Sequence, residues 1–188
     1  MIVFETKRLQ IRTACSSDAG LYFALWTDSA VMSNVGFPLG LRITLPDIEV
    51  LLEDQSAQTE FGRNLVVELL ASKTPVGECK MYQPCEEGIA KTDVKLLPDY
   101  WGNRYGVEVK QGLLDYLFLH TDCRAVEGTP NIENKASIKM QEAVGGIRVG
   151  EEVHHFPEGM HEYTHPVHHY IYMVYREEWE RRWDSSLI

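Results

Sequence analysis

The sequence has no apolar run close to the ~20 residues that a membrane-spanning helix needs, so it predicts no membrane segment. Its first residues also lack the charged-then-apolar layout of a secretory signal peptide. No C-x-x-C pair occurs among the four cysteines, which are Cys15, Cys79, Cys85 and Cys123. These absences favour reduced thiols and a cytoplasmic location.

Positive charge is scarce as well, because 18 lysines and arginines stand against 28 acidic residues, for a net charge of −10. This balance argues against nucleic acid or an anionic membrane as a partner, and it suits a cationic substrate such as an amine. The sequence has no repeats or low-complexity tracts. Its length of 188 residues predicts one domain, residues 1–188, with a proper core. Both a monomer and a homodimer remain open.

Apolar periodicity predicts the order strand, two helices, three strands, helix, strand, helix, two strands. Strands are predicted at residues 8–13, 65–71, 76–82, 89–97, 123–129, 147–156 and 168–175. Helices are predicted after a cap at 16–18 as far as 27, and at 44–58, 104–120 and 133–144. This order is typical of a mixed α/β fold, in which helices cover a central sheet.

A glycine-rich turn, P-D-Y-W-G-N-R-Y-G-V-E from Pro98 to Glu108, leads directly into the third helix. The first turn of a helix has unpaired N–H groups at the positive end of the helix dipole, where an anion is stabilised. Gly102 and Gly106 would let the backbone approach a phosphate closely. Taken alone, a turn with two glycines before a helix also occurs where no ligand binds, simply as the connection into the helix.

The helix that follows is predicted to be amphipathic. Its apolar positions are Val109, Leu113, Leu114, Leu117 and Phe118. Lys110, Gln111 and Asp115 are predicted to lie on the other side, and Glu108 to stabilise the helix start through the dipole.

Four segments in series resemble the GNAT superfamily of acyl-CoA N-acyltransferases, and within it the ribosomal-protein N-terminal acetyltransferase-like branch. E-T-K-R-L-Q-I-R, residues 5–12, resembles that branch's opening strand. Residues 98–108 resemble the acetyl-CoA pyrophosphate loop. N-I-E-N-K-A-S-I-K-M, residues 131–140, resembles the entry to the next helix, and Gly145-Gly146 resembles the turn after it. The resemblance covers about residues 5–178.

The resemblance implies a splayed central sheet of about six to seven strands, flanked by about four helices, with acetyl-CoA wedged between two strands. It implies a backbone N–H near Leu96 and Leu97 as the donor to the developing oxyanion. The implied cofactor-binding residues are Leu96, Leu97, Trp101, Gly102, Asn103, Arg104, Tyr105, Gly106, Asn134 and Ser137.

The sequence departs from the family pattern at several positions. Trp101 stands where Gln or Arg is usual, and Arg104 stands where the middle glycine is usual. Gln141 occupies the place of the tyrosine that protonates the departing thiolate in many relatives, and Gly146 that of a phenylalanine. A thiol with a pKa near 8.5 leaves as thiolate at pH 7 for only about 2 kcal/mol, so the missing acid slows the reaction without forbidding it.

Three strand carboxylates are candidate general bases: Glu68, Asp93 and Glu127. Glu68 lies between Val66 and Leu70, where an unpaired carboxylate would have a raised pKa. Each candidate has a structural alternative. Glu68 could pair with a buried arginine or face water, Asp93 could pair with Lys95 on its own strand face, and Glu127 could be solvated or paired.

Six histidines cluster late in the chain: His154, His155, His161, His165, His168 and His169. Neighbouring histidines on a strand point to opposite faces of the sheet, which does not support a closed metal site. No metal is therefore expected, and the histidines are predicted to line or flank the substrate entrance.

The predicted function is transfer of an acetyl group from acetyl-CoA to a small-molecule amine or a peptide N-terminus, by direct attack in a ternary complex. Deprotonation at pH 7 costs about 4.6 kcal/mol for a lysine-type amine but only about 1 kcal/mol for an α-amine, so a weak base favours weakly basic amines. Two alternatives remain: a non-catalytic acyl-CoA-binding or regulatory module of the same fold, and an α/β domain with accidental motifs.

Overall fold

The computed structural model describes residues 1–55 and 59–186 and contains one eight-stranded sheet. The strands are β1 (Ile2–Glu5), β2 (Leu9–Thr13), β3 (Leu65–Leu69), β4 (Pro75–Met81), β5 (Ile89–Leu96), β6 (Ala125–Gly128), β7 (Ile147–His154) and β8 (Val167–Tyr175). They are hydrogen-bonded in the order β1-β2-β3-β4-β5-β6-β8-β7. The β5–β6 pair is parallel and the other neighbours are antiparallel.

Helices cover both faces of this sheet. They are α1 (Ala19–Thr27), α2 (Ser29–Met32), α3 (Leu45–Asp54), α4 (Tyr105–His120), α5 (Lys135–Ala143) and α6 (Arg176–Ser186). The larger core lies between the sheet and α4, and it extends to Val144 after α5 and to Trp179 of α6. The smaller core lies on the opposite face, under α1 and α3.

The mixed α/β fold and its splayed sheet agree with the sequence prediction, but the element count does not. Eight strands and six helices replace the expected seven and four. The prediction missed β1 and α2, which have four residues each, and α6, in which charged residues interrupt the apolar pattern. The helix predicted at 44–58 ends at Asp54 as α3, and residues 56–58 lie outside the described part of the chain.

Strand β2 is more buried than its alternating pattern predicts. Leu9 and Ile11 alternate with Gln10 and Arg12, a pattern that predicts a half-exposed strand, but Gln10 is only 5% exposed. Arg12 is held by two hydrogen bonds of 2.8 Å to the carboxylate of Asp18 and one of 2.8 Å to Glu68. Asp18 therefore anchors Arg12, and its carboxylate accepts no capping hydrogen bond from the first turn of α1.

The sheet opens into a fork between β5 and β6. These strands pair only over three residues, Ile89–Lys91 with Ala125–Glu127. Beyond Lys91, strand β5 continues along β4 for five more residues, as far as Leu96, without β6 beside it. The edge of β5 that faces away from β4 therefore lines an opening in the middle of the sheet.

Candidate active site

The N-terminus of α4 has no cap. The first backbone bond into the helix runs from the Glu108 N–H to the Arg104 carbonyl at 3.2 Å, and no side chain caps the helix. The N–H groups of Tyr105, Gly106 and Val107 thus have no hydrogen-bond acceptor among the described residues. Such a set of free donors at the positive end of a 16-residue helix fits a phosphate group.

Backbone conformation at the preceding turn exposes these donors. Gly102 has φ 78° and Arg104 has φ 62°, both in the left-handed region that a residue with a side chain rarely adopts. The Arg104 guanidinium forms no ion pair or hydrogen bond with a described residue, so it is available to an anion. Trp101 is 48% exposed, and its indole Nε1 donates to the Leu96 carbonyl at 2.8 Å, which fixes the turn to the end of β5.

Arg8 braces the turn from the side of β2. Its guanidinium stacks over the Tyr105 ring at 4.5 Å and donates to the Asn103 carbonyl at 3.2 Å and to Glu108 at 2.7 Å. Burial alone would raise the pKa of Glu108, but hydrogen bonds from Thr6 and Arg8 outweigh this effect and lower it. The helix start is therefore pre-ordered by contacts that leave its N–H groups free.

The open edge of β5 presents free peptide groups below this turn. The Leu97 N–H donates to Val76 and the Tyr82 N–H donates to Lys91, so the odd-numbered residues of this segment point their peptide groups at β4. Peptide groups alternate along an antiparallel strand, so those of Val94 and Leu96 face the fork. An oxyanion donor is expected from the backbone N–H of Leu96 or Leu97. The Leu97 N–H already donates to Val76 within the sheet, whereas the Leu96 N–H faces the fork and has no acceptor among the described residues.

Helix α5 forms the other wall of the fork. Asn134 caps it, because its Oδ1 accepts from the Ser137 N–H at 3.0 Å. Gln141 is only 5% exposed, its amide packs against Gly128 of β6, and it forms no side-chain hydrogen bond with a described residue. A Cβ on Gly106 would lie 3.3 Å from the sulfur of Met140 and 3.9 Å from Leu96 Cδ1, so Gly106 leaves the passage between α4, α5 and β5 open.

A cavity of about 610 Å³ lies beside the fork on the sheet face opposite α4. It is lined by Asn34, Val35, Lys91, Glu127, Thr129, Glu152, Val153, His154, His155, Val167, His169 and Ile171. Glu127, whose side chain is 14% exposed, pairs with the exposed Lys91 at 2.9 Å. Glu127 is also the last β6 residue that pairs with β5, so its carboxylate stands where the cavity meets the fork.

Asp93 belongs to an ion cluster on the same sheet face. Lys95 pairs with Asp93 and, at 3.2 Å, with Glu78. Burial alone would raise the pKa of Asp93, but the charge of Lys95 lowers it. A carboxylate whose pKa is lowered is a weak proton acceptor, so this geometry favours the ion-pair alternative for Asp93.

Glu68 is not brought to the cavity or the fork. It lies on β3, which β4 separates from β5, and its carboxylate bonds Arg12 at 2.8 Å and lies 4.0 Å from Lys73. The expected unpaired carboxylate is thus a paired one, because Arg12 lies diagonally across from it on the same face of β2, opposite Val66. The geometry supports a structural role for Glu68.

We expect Glu68→Gln to lower the free energy of unfolding by about 1–2 kcal/mol, because Arg12 loses one charged hydrogen bond and keeps Asp18. Turnover of any amine that the wild-type protein acetylates should change less than about twofold. Denaturant unfolding and steady-state kinetics measure the two effects. Glu49→Gln, at an exposed carboxylate without an ion pair to a described residue, is the matched control. A large loss of turnover in a stable Glu68→Gln protein would show that Glu68 takes part in catalysis.

The sequence prediction for Lys110 is wrong. It was assigned to the polar side of α4, yet it is 1% exposed and its Nζ donates to Thr92 Oγ1 at 2.5 Å. The signal was present, since Lys110 precedes Leu113 and Leu114 by three and four residues and so lies on their stripe. The other predicted apolar positions of α4 are buried as expected.

The histidines lie at the cavity and around it. His154, His155 and His169 line it, and His169 faces Glu152 at 4.0 Å. His168 faces Glu151 at 3.9 Å instead. Over residues 1–55 and 59–186, no three or more histidine, cysteine or acidic side chains converge into a group that could hold a metal ion. In the same ranges no helix is long and apolar enough to cross a membrane.

Comparison with known proteins identifies the relatives of this chain. The model of the acetyltransferase (GNAT) domain family matches residues 8–147. No curated protein sequence matches the chain significantly.

Solved structures with the same fold cover nearly the whole chain. An acetyltransferase of the GNAT family from Bacillus anthracis has a TM-score of 0.77 and 24% identity over 95% of this chain and 100% of that one. The aminoglycoside acetyltransferase AAC(6')-Ib in complex with coenzyme A has a TM-score of 0.70 and 17% identity, over 92% and 98%. A chimera of the Vibrio cholerae spermidine N-acetyltransferase SpeG and hSSAT has a TM-score of 0.72 and 18% identity, over 91% and 97%.

Proposed function

Because the chain belongs to the acetyltransferase (GNAT) domain family, we propose that it transfers an acetyl group from acetyl-CoA to an amine nitrogen by direct attack in a ternary complex. The observation that carries this proposal is the uncapped N-terminus of α4 at the mouth of the fork. The free N–H donors of α4 lie there beside the open edge of β5, because a Cβ on Gly106 would lie 3.9 Å from Leu96 Cδ1. This combination suits a ligand with a pyrophosphate at one end and a peptide-like arm at the other.

The chain's own groups account for binding. The N–H groups of Tyr105 and Gly106 and the Arg104 guanidinium would hold the pyrophosphate. The Val94 peptide group and the Leu96 N–H would hydrogen-bond the amide-containing arm, while the Leu96 carbonyl accepts from Trp101. When bound, acetyl-CoA would supply an activated acyl group, and a backbone N–H on the open edge of β5 would donate to the developing oxyanion. The coenzyme A bound to AAC(6')-Ib supports this cofactor.

The cavity on the other sheet face would receive the acceptor amine. Glu127 and Glu152 give it two carboxylates, opposed by one lysine, so a small cationic amine is the acceptor that we favour. The aminoglycoside and spermidine acetyltransferases among the structural relatives support this class. A peptide N-terminus is the second class, supported by the resemblance of residues 5–12 to the ribosomal-protein N-terminal acetyltransferase-like branch. A cytoplasmic location is part of the same proposal.

Two measurements test the proposal. Isothermal titration with CoA and acetyl-CoA should give saturable binding, and its absence would end the cofactor assignment. Release of CoA from acetyl-CoA in the presence of polyamines, aminoglycosides and short peptides should identify the acceptor class. If CoA binds tightly but none of these amines causes release of CoA from acetyl-CoA, the non-catalytic binding module is favoured. That alternative is motivated by Gln141, which stands where many relatives have a tyrosine.

We expect Glu127→Gln to lower kcat by about tenfold, because Glu127 is the carboxylate at the junction of the cavity and the fork and can accept the proton of the amine. The effect is smaller than the ~100-fold of a dedicated base, because Lys91 already holds the carboxylate. Glu152→Gln is the matched control: it should raise KM for a cationic amine about threefold with kcat unchanged. Equal effects of both variants on KM alone would exclude Glu127 as the base.

A further inference from the structure

Lys110 is a buried cation without a counter-ion. It is 1% exposed, and among the described residues its only hydrogen bond is the one from Nζ to Thr92 Oγ1 at 2.5 Å. Buried lysines in proteins are almost always paired, because an isolated charge is costly to remove from water. The nearest acidic influence is Asp93, on the opposite face of β5, which is itself paired with Lys95. The Lys110 ammonium is therefore free to interact with an anion.

Its position is the root of the fork. Thr92 directly follows Lys91, the last β5 residue that pairs with β6. The Thr92 side chain faces α4, and Gln141 lies across the opening, against Gly128. Gln141 is an amide, which cannot release a proton at neutral pH. Lys110, by contrast, has a proton to give and lies at Thr92, beside the root of the fork.

The length of the cofactor arm matches this position. A Cβ on Gly106 would lie 3.9 Å from Leu96 Cδ1, so the N-terminus of α4 lies level with Leu96. From Leu96 back to Thr92 the strand covers about 13 Å, at about 3.3 Å per residue. The arm between pyrophosphate and sulfur has two amide-linked units and a thiol-bearing end, comparable to about four extended residues. A pyrophosphate at α4 therefore brings the sulfur to the level of Thr92.

We propose that the Lys110 ammonium stabilises and protonates the thiolate of CoA as it departs. In this step the acceptor nitrogen bonds to the acetyl carbon, the carbon–sulfur bond breaks, and the sulfur keeps the electron pair and takes a proton from Nζ. A cationic amine loses one proton before it attacks, its nitrogen releases a second to the base as the amide forms, and Lys110 regains one from solvent. The inference rests on the proposed acetyl-CoA site and adds a catalytic residue to it.

Proton affinity agrees with this role. Burial lowers the pKa of Lys110 to about 8, although the charge of Asp93 raises it slightly. The thiol of CoA has a pKa of about 8.5, so the transfer from nitrogen to sulfur is nearly balanced. An acid is most effective under that condition.

The test is a titration of the thiol in the complex with CoA. The thiolate is followed by ultraviolet absorbance, as the difference between the complexes with CoA and with desulfo-CoA, which cancels tyrosine ionisation. In the wild-type protein the thiol pKa should lie at least about one unit below that of free CoA, because the ammonium stabilises the thiolate. In Lys110→Met it should equal or exceed the free value. Lys139→Met, at an exposed α5 lysine, should behave as wild type.

The outcomes are distinguishable. Wild type and Lys110→Met that both bind CoA and titrate identically would overturn the role of Lys110 while leaving the proposed function intact. A wild-type protein that does not bind CoA in the accompanying calorimetric titration would overturn the proposed function, and this inference with it. A thiol shift that is lost in Lys110→Met and kept in Lys139→Met supports both.

Discussion

Replacing Gly106 by leucine should weaken CoA binding by at least about 100-fold. The Cβ alone would lie 3.3 Å from Met140 Sδ, and the rest of the side chain would fill the passage between α4, α5 and β5. A phosphate would then lose at least two charge-assisted hydrogen bonds to the first turn of α4, each worth about 1.5–3 kcal/mol. A loss of about 3 kcal/mol corresponds to about two orders of magnitude in Kd.

Isothermal titration of CoA measures this loss, and thermal unfolding of the same protein checks that the fold persists. Gly20→Leu is the matched control, because a Cβ at this exposed α1 position meets nothing within 4 Å. That variant should bind CoA as the wild type does. Undiminished affinity in a folded Gly106→Leu protein would mean that the phosphate does not approach α4 at this point.

Replacing Lys110 by methionine should stabilise the protein by about 2–3 kcal/mol at pH 7. The pKa of Lys110 is lowered by burial to about 8, against about 10.4 in an unfolded chain. Each unit of difference is worth about 1.4 kcal/mol, and loss of the hydrogen bond to Thr92 returns about 1 kcal/mol of the gain. For a chain of this size the melting temperature should rise by roughly 4–10 °C.

The stability advantage of Lys110→Met should fall as the pH rises above 8. Below pH 8 the lysine is charged in both the folded and the unfolded state, so the whole penalty of the buried charge is present. Between pH 8 and about 10.4 the folded protein is neutral at this residue while the unfolded chain still binds a proton, so the advantage of methionine declines. Denaturant unfolding of both proteins at pH 7 and pH 10 measures the difference. A destabilised variant at pH 7, or an advantage that grows with pH, would contradict the assignment.

Gly106 and Lys110 affect the protein in opposite ways, although both lie on α4. Gly106 lies at the start of α4, where a missing side chain leaves room for a ligand, while Lys110 lies one turn later, where a buried charge destabilises the fold. Residues that lower stability without an internal partner are often kept for function. The stability gain of Lys110→Met also means that loss of the thiol shift in that variant would not come from unfolding.

Local pattern in the sequence was sufficient for most of the fold. The apolar stripe of α4, the capped start of α5 and the alternation of β4 and β5 follow from residues within a few positions of one another. Short or highly charged elements, β1, α2 and α6, were missed because four residues, or a helix with few apolar positions, carry too little periodicity.

What the sequence by itself determined is the glycine turn and its helix, and with them a place for a phosphate, because unpaired N–H groups at a helix start are a local property. The tertiary structure alone decided which charges are used. Glu68 is paired because Arg12, 56 residues away in the sequence, lies diagonally across from it on the neighbouring strand β2. Glu127 meets the fork because β6 leaves β5 after Lys91, and Lys110 is buried because α4 packs under that point. Burial and pairing depend on which faces meet, and only the packed chain brings those faces together.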